Sequence, residues 1–374
     1  MVTITNRQCA TGASDAESET AFWLAISRVP YIGPARIERL LQAFGSLSTA
    51  WSAPAAELRV ALESRALSEL LAARSRIDPV SELDRLGRLG IRAVHPGHSL
   101  YPRLLAEISG RPSLLYMRGE LTAADDTSVA IVGTRRATPY GRQAAERIAA
   151  ELAEAGVTVV SGLARGVNAS THRAALEAGG RTIAVLGSGP DVIYPAEHRR
   201  LAEEILESGA ILSEFPPGAK PDAQNFPARN RIVSGMTLGT LIVEAPARSG
   251  ALITASFAAD QGREVLVLPR SIFSESAEGT HARLRDGARL ARNGADILED
   301  LGLGAGRSPV ATQSQMPLEE NERRLYDALR IEARHIDELA EEAGLPAATA
   351  SALLLTMELK GLVRNHGAQY YVLR

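Results

Sequence analysis

One cysteine, Cys9, among 374 residues excludes an internal disulfide and any cysteine-built metal cluster. No apolar run reaches membrane-spanning length. Met1 to Glu19 has neither the basic start nor the apolar centre of a signal peptide. Both absences lead to the expectation of a cytoplasmic protein with no membrane partner. Lysine is nearly missing: Lys220 and Lys360 are the only two, and every other cationic side chain is arginine. A GC-rich coding genome accounts for that bias, so it carries little weight as a sign of phosphate recognition. The net charge of −3 does not advertise a nucleic-acid binder, although a small net charge can conceal a local basic groove. Hydrophobic and charged contents of 45% and 23% are those of a globular chain, long enough for two or three domains.

The rest of the chain is arranged around Val129 to Arg136, Val-Ala-Ile-Val-Gly-Thr-Arg-Arg. A continuous run of β-branched and small apolar residues is the pattern of a strand buried on both faces. It turns through Gly133 and Thr134 toward Pro139, a residue suited to a first helical turn, and then into a helical stretch from Arg142 to Glu154. Free amides and the positive dipole end at such a helix N-terminus favour an anion, and Arg135 and Arg136 add bidentate phosphate donors. The plain alternative is an ordinary strand-to-helix turn with solvated arginines.

Taken in order, residues 1–20 are polar and patternless and read as a mobile tail. Residues 21–78 read as an all-helical domain around the turn Pro30-Tyr31-Ile32-Gly33-Pro34, which resembles a helix-hairpin-helix (SAM-like) unit with Tyr31 in place of the usual first glycine. A structural or partner-contact role is preferred there over a primary DNA site. Residues 79–301 then repeat one unit. Apolar strands near Val157, Thr182, Ala210, Thr240 and Val265 are each closed by a short stretch containing glycine or proline and alternate with helical segments. That alternation implies a parallel, doubly wound α/β sheet whose ligand lies beyond the carboxyl ends of the strands. Those ends carry Arg135, Arg136, Arg165, Arg248 and Arg270, with no run of acids to balance them. Residues 302–317 read as a linker, and 318–374 as three helices and a small hairpin, the order of a winged helix. Its second recognition-type helix begins Ala347-Ala348-Thr349 and carries no base reader. Across Pro317 to Arg374, seven Lys/Arg face ten Asp/Glu, so a protein contact is expected there rather than duplex reading.

Phe226-Pro227-Ala228-Arg229-Asn230-Arg231 is the second informative stretch: an aromatic with arginines suits single-stranded nucleic acid, the ring stacking on any base and the arginines taking phosphates. A buried phenylalanine opening a helix is the alternative. Arg248-Ser249-Gly250 leads into another glycine-turn helix. Together with Tyr101-Pro102, Ser161-Gly162-Leu163-Ala164-Arg165-Gly166, Tyr194-Pro195, Ser213-Glu214 and Gly262-Arg263-Glu264, these stretches resemble the DNA processing protein A (DprA/Smf) family over about Leu100 to Asp300.

The resemblance implies an extended Rossmann-like sheet flanked by the helical and winged-helix modules. It also implies sequence-independent binding of single-stranded DNA, a homodimer, and loading of the recombinase RecA during natural transformation. The implied DNA-contacting set is Gly133, Thr134, Arg135, Arg136, Arg165, Gly166, Lys220, Phe226, Arg229, Asn230, Arg231, Arg248, Ser249 and Gly250. Leu284 and Leu290, within Gly279 to Leu290, are the candidate dimer contacts. Three positions depart from the family pattern: Asn168 for aspartate, Arg270 for glycine, and His281 for asparagine.

The rival is a nucleotide enzyme of similar architecture, such as a nucleoside monophosphate phosphoribohydrolase. Gly133 lacks the partner glycines of a dinucleotide motif, and the second strand ends Val160-Ser161-Gly162 without an acid. Pro-Gly-Gly is missing before Gly239-Thr240. Glu214 and Glu244 are expected to be turn or arginine partners, and His172 structural. No catalytic set, metal site or cofactor is expected.

Overall fold

The computed structural model of the chain describes residues 9–304, 319–329, 334–360, 362–365 and 369–373. The linker reading, placed on 302–317, falls almost wholly outside them, as do residues 1–8 and the tip of the C-terminal hairpin. The chain forms two compact units, divided after Pro309.

The first unit opens with six helices: α1 (Cys9–Ser27), α2 (Pro34–Phe44), α3 (Leu47–Ser52), α4 (Ala55–Leu58), α5 (Ser64–Arg74) and α6 (Pro79–Arg88). Helix α1 thus runs back through much of the stretch expected to be a tail. A tertiary contact anchors the end of that stretch: the Glu19 carboxylate accepts from the Leu47 and Ser48 amides at the start of α3, and Thr20 and Ala21 are buried. Ile26, Val29, Ile32, Ile37 and Leu40 are all buried, as their helical spacing predicts. Tyr31 takes a left-handed conformation (φ 64°), the geometry glycine would adopt at that turn.

There follow β1 (Arg92–Val94), α7 (Arg103–Glu107), β2 (Leu115–Gly119), β3 (Ser128–Val132), α8 (Pro139–Glu154), β4 (Thr158–Gly162), α9 (Val167–Glu177), β5 (Thr182–Leu186), α10 (Arg199–Ser208) and β6 (Ala210–Ser213). The unit continues with α11 (Asn225–Gly235), β7 (Gly239–Ile242), α12 (Gly250–Asp260), β8 (Glu264–Val267), α13 (Glu278–Arg285), β9 (Arg289–Leu290) and α14 (Gly294–Asp300). The nine strands form one sheet in the order β1-β2-β6-β5-β4-β3-β7-β8-β9. From β6 to β9 the pairing is parallel, whereas β1 and β2 add an antiparallel edge that the repeat pattern did not announce. Ala93, Leu114 and Tyr116 from that edge share a core with the N-terminal helices.

Alternation along the strands sorts the two faces. Val129, Ile131, Leu241 and Val243 pack with α8, α9 and α14, while Ala130, Val132 and Ile242 pack with α11 and α12. The sheet is therefore covered on both sides, which is why its strands read as unbroken apolar runs. Strand order reverses between β3 and β7, the position at which such sheets open a crevice.

The second unit contains α15 (Glu320–Ala328), β10 (Arg334–His335), α16 (Ile336–Ala343), α17 (Ala347–Leu359), β11 (Val363–Asn365) and β12 (Tyr370–Leu373). Leu325, Leu339, Leu354, Met357 and Val363 form its core under a three-stranded antiparallel sheet, a winged-helix arrangement. Ala348, Ser351, Ala352 and Leu355 of α17 are exposed. No helix among the described residues is long and apolar enough to cross a membrane.

Candidate nucleic-acid interface

The turn after β3 does not leave an empty anion site. Glu244, fully buried at the end of β7, places its carboxylate at the N-terminus of α8. The Thr138 amide and hydroxyl both donate to that carboxylate, and Arg270 forms an ion pair with it. A Cβ on Gly141 would lie 2.2 Å from the Glu244 carboxyl carbon, so glycine there makes room for the acid. The dipole end expected to hold a phosphate is thus met by a side chain of the protein itself. This corrects the expectation for that helix end, and the same carboxylate fills the crevice between β3 and β7. Gly133 likewise makes room for a neighbour, since a Cβ there would meet Val167 at 2.5 Å.

The open cleft lies one step along the sheet, at the carboxyl ends of β3, β4 and β5. Phe226, in the first turn of α11, forms one wall. Its ring tilts against Tyr194 with centroids 5.9 Å apart, and the Arg135 guanidinium stands over it at 5.3 Å. Leu163, Leu186, Gly187 and Ser188 form the floor. A Cβ on Gly187 would come within 3.0 Å of the Phe226 ring, so the glycine lets the ring lie against the strand end. Phe226 is half-buried, between the two alternatives that the sequence left open.

The predicted arginines divide by environment. Arg135, Arg136 and Arg248 are exposed and make no ion pair among the described residues. Arg165 is exposed but held by Glu197, with two bonds of 2.7 and 2.6 Å. Arg229 differs from expectation: it is 6% exposed, donates to the Val185 carbonyl, and lies flat on Gly162, where a Cβ would meet its Nη1 at 2.4 Å. Burial, and then the charge of Arg135, pushes its guanidinium down to about 10, so it remains a cation at neutral pH. Arg231 turns away from the cleft, donating to the Gly110 carbonyl at 3.0 Å and to Glu214 at 2.7 Å. Single acids thus pair with part of the arginine set. They approach from loops that are distant in the chain.

The remaining predicted residues support these positions. Thr134 donates its amide to the Glu244 carbonyl (2.8 Å), and its hydroxyl accepts from the Arg136 amide (3.2 Å). Gly166 (φ 74°) lets the β4 turn pass beneath the β3 turn, where a Cβ would lie 2.4 Å from the Thr134 carbonyl oxygen. Asn230 reaches the Gly250 carbonyl at 3.3 Å, and Ser249 caps α12 through the Ala251 amide. Lys220 is exposed, on a loop tied to the cleft by the Gly189 amide, which donates to the Ala219 carbonyl at 2.9 Å. Two of the departures from the family pattern meet each other, since His281 Nε2 donates to the Arg270 carbonyl at 3.1 Å. Leu284 is partly buried against the core, and Leu290 is 48% exposed on the edge strand β9.

Tyr194 and Glu197 join the predicted set from the loop after β5; Tyr194-Pro195 belongs to the motifs that carry the family resemblance, whereas nothing local marks Glu197 as the partner of Arg165. Glu244 and Glu214 are arginine partners, as expected. His172 is wholly buried between the Gly162 carbonyl (3.0 Å) and Thr182 (2.6 Å), also as expected. No group of three metal-ligating side chains occurs among the described residues.

Comparison with known proteins follows the same lines. The family model described as DNA recombination-mediator protein A matches residues 92–302, and the DprA winged helix domain matches residues 309–369. Protein Smf of Synechocystis sp. is 35% identical over 395 residues, covering 95% of this chain and 99% of that one. The crystal structure of DNA processing protein A from Streptococcus pneumoniae is similar with a TM-score of 0.67 and 30% identity, covering 75% of this chain and 97% of that one. A Helicobacter pylori DNA processing protein A, whose structure concerns its single-stranded DNA binding mode, gives 0.51 and 32%, covering 56% and 95%.

Proposed function

Because the chain belongs to the DNA processing protein A (DprA/Smf) family, we propose that it binds single-stranded DNA without sequence preference at the cleft between Arg135 and Phe226. In this reading it acts as a recombination mediator, protecting incoming strands and loading RecA during natural transformation. The observation that carries it is the Arg135–Phe226 pair: an exposed guanidinium with no ion pair among the described residues stands over a half-buried ring at the carboxyl ends of the strands. A ring offers a stacking face to any base, and an arginine without an acid partner remains available to a phosphate. The apolar floor of Leu163 and Leu186 supplies shape rather than base-edge donors, in keeping with sequence tolerance.

A nucleotide-cleaving enzyme fits less well. The crevice at which the strand order reverses is filled by Glu244, Thr138 and Arg270, and His172 is buried with both ring nitrogens engaged. Titration with oligo-dT, a duplex of equal length and free nucleotides, with a parallel assay for base release, separates the readings. Tight oligo-dT binding without base release is expected; preferential nucleotide binding with base release overturns the proposal.

Homodimerisation through the β9 edge belongs to the same proposal, with Leu290 as the exposed contact. Sedimentation of Leu290→Arg should give a folded monomer, and an unchanged dimer removes this edge from the interface.

A further inference from the structure

The ring–guanidinium pair in the cleft has a counterpart farther along the strand ends. Tyr140, in the first turn of α8, donates its hydroxyl to the Pro269 carbonyl beyond β8 at 3.0 Å. The Arg270 guanidinium stands 5.2 Å from the ring centroid, close to the 5.3 Å between Arg135 and Phe226. Arg270 is itself fixed, through its ion pair with buried Glu244 and a 2.7 Å bond to Ser276. The tyrosine ring is therefore held at its hydroxyl and against a cation, yet it remains 46% exposed.

Anchoring a ring in this way contributes little to a core, because much of its apolar surface stays in water. It does prepare the ring for a flat ligand, since less side-chain freedom is lost on binding. Position points the same way. From the Phe226 ring at the end of β5, the sheet passes through β4, β3 and β7 to β8, about four strand spacings or roughly 19 Å. Exposed Arg136 and Arg248 follow β3 and β7 in that interval, and neither makes an ion pair among the described residues.

We propose that Tyr140 is a second base-stacking platform, reached by a single strand that leaves Phe226 and crosses the turns after β3 and β7. The proposal rests on the reading of the Arg135–Phe226 cleft as a single-strand site.

The test uses the full chain and a 20-nucleotide oligo-dT. Tyr140→Ala should weaken binding roughly tenfold with the salt slope unchanged, because a stacking contact is lost and no phosphate contact is. Tyr140→Phe keeps the ring and should bind within twofold of the parent. On the unsubstituted chain, photo-crosslinking with a 5-iodouracil oligonucleotide should label the peptide containing Tyr140 as well as the one containing Phe226. Parental affinity of Tyr140→Ala beside a weakened Phe226→Ala overturns the second platform and leaves the cleft standing. Equal weakening by Tyr140→Ala and Tyr140→Phe also overturns it, by assigning the effect to the hydroxyl bond. If Tyr140→Ala does not fold, absence of a crosslink at Tyr140 on the parent chain decides against it. Parental affinity of both Phe226→Ala and Arg135→Ala removes the cleft reading itself.

Discussion

Arg135 and Arg229 line the same cleft, but their guanidiniums stand in different surroundings. Arg135 faces solvent over the Phe226 ring, whereas Arg229 is buried against Gly162 and bonded to the Val185 carbonyl. Removing each should therefore change a different observable. Arg135→Ala is expected to lower the salt slope of oligo-dT binding by about 0.7, one phosphate's worth on a single strand, with thermal stability unchanged. Arg229→Ala leaves a buried carbonyl without this donor and a void against Gly162, so it should cost roughly 2 kcal/mol or more of stability. Denaturant unfolding beside a salt titration distinguishes the two. Equal salt slopes in parent and Arg135→Ala would take that residue off the phosphate path.

Helix α9 carries a pH dependence set by one of its residues. Burial, partly offset by the bond to the Gly162 carbonyl, pushes the His172 imidazole down to about 4 from an ordinary 6.5. The unfolded chain therefore takes up a proton at a higher pH than the folded one. The contribution of the neutral ring is complete above pH 6.5 and declines as the pH falls toward 4. Because a tenfold difference in proton affinity is worth about 1.4 kcal/mol, the loss reaches about 3 kcal/mol. His95, stacked on Trp23 at 4.6 Å and also pushed down to about 4 by burial, acts in the same window. The informative measurement is thus a difference. Unfolding free energy should fall less steeply between about pH 7 and pH 4.5 in His172→Asn than in the parent, and parallel slopes would refute the assignment.

Across the whole molecule, the winged-helix unit stands apart from the strand-end cleft in both chemistry and sequence. Its helix α17 exposes Ala348, Ser351, Ala352 and Leu355 and contains no cation. Deleting Leu318 to Arg374 should leave oligo-dT affinity within a few-fold of the parent, any loss appearing in protein contacts. A fall beyond tenfold in a filter-binding or anisotropy titration would place that unit in the DNA path.

By itself the sequence determined the alternation of strands and helices, the α/β class, the winged-helix order and the family. Apolar runs closed by glycine or proline are local signals, and the motif set fixes their order. Tertiary structure alone decided which carboxylate meets which cation. Glu244 reaches the α8 N-terminus from 106 residues away, and Glu197 reaches Arg165 across 32. It also decided that Arg229 is buried while Arg135 is not, although both follow a short apolar or aromatic stretch. Helix α11 turns Arg229 under the sheet end and Arg231 away toward Glu214, a division fixed by the helix's packing against β4 and β5. Charge pairing and burial depend on neighbours brought together by the sheet order, and no stretch of the chain carries that information locally.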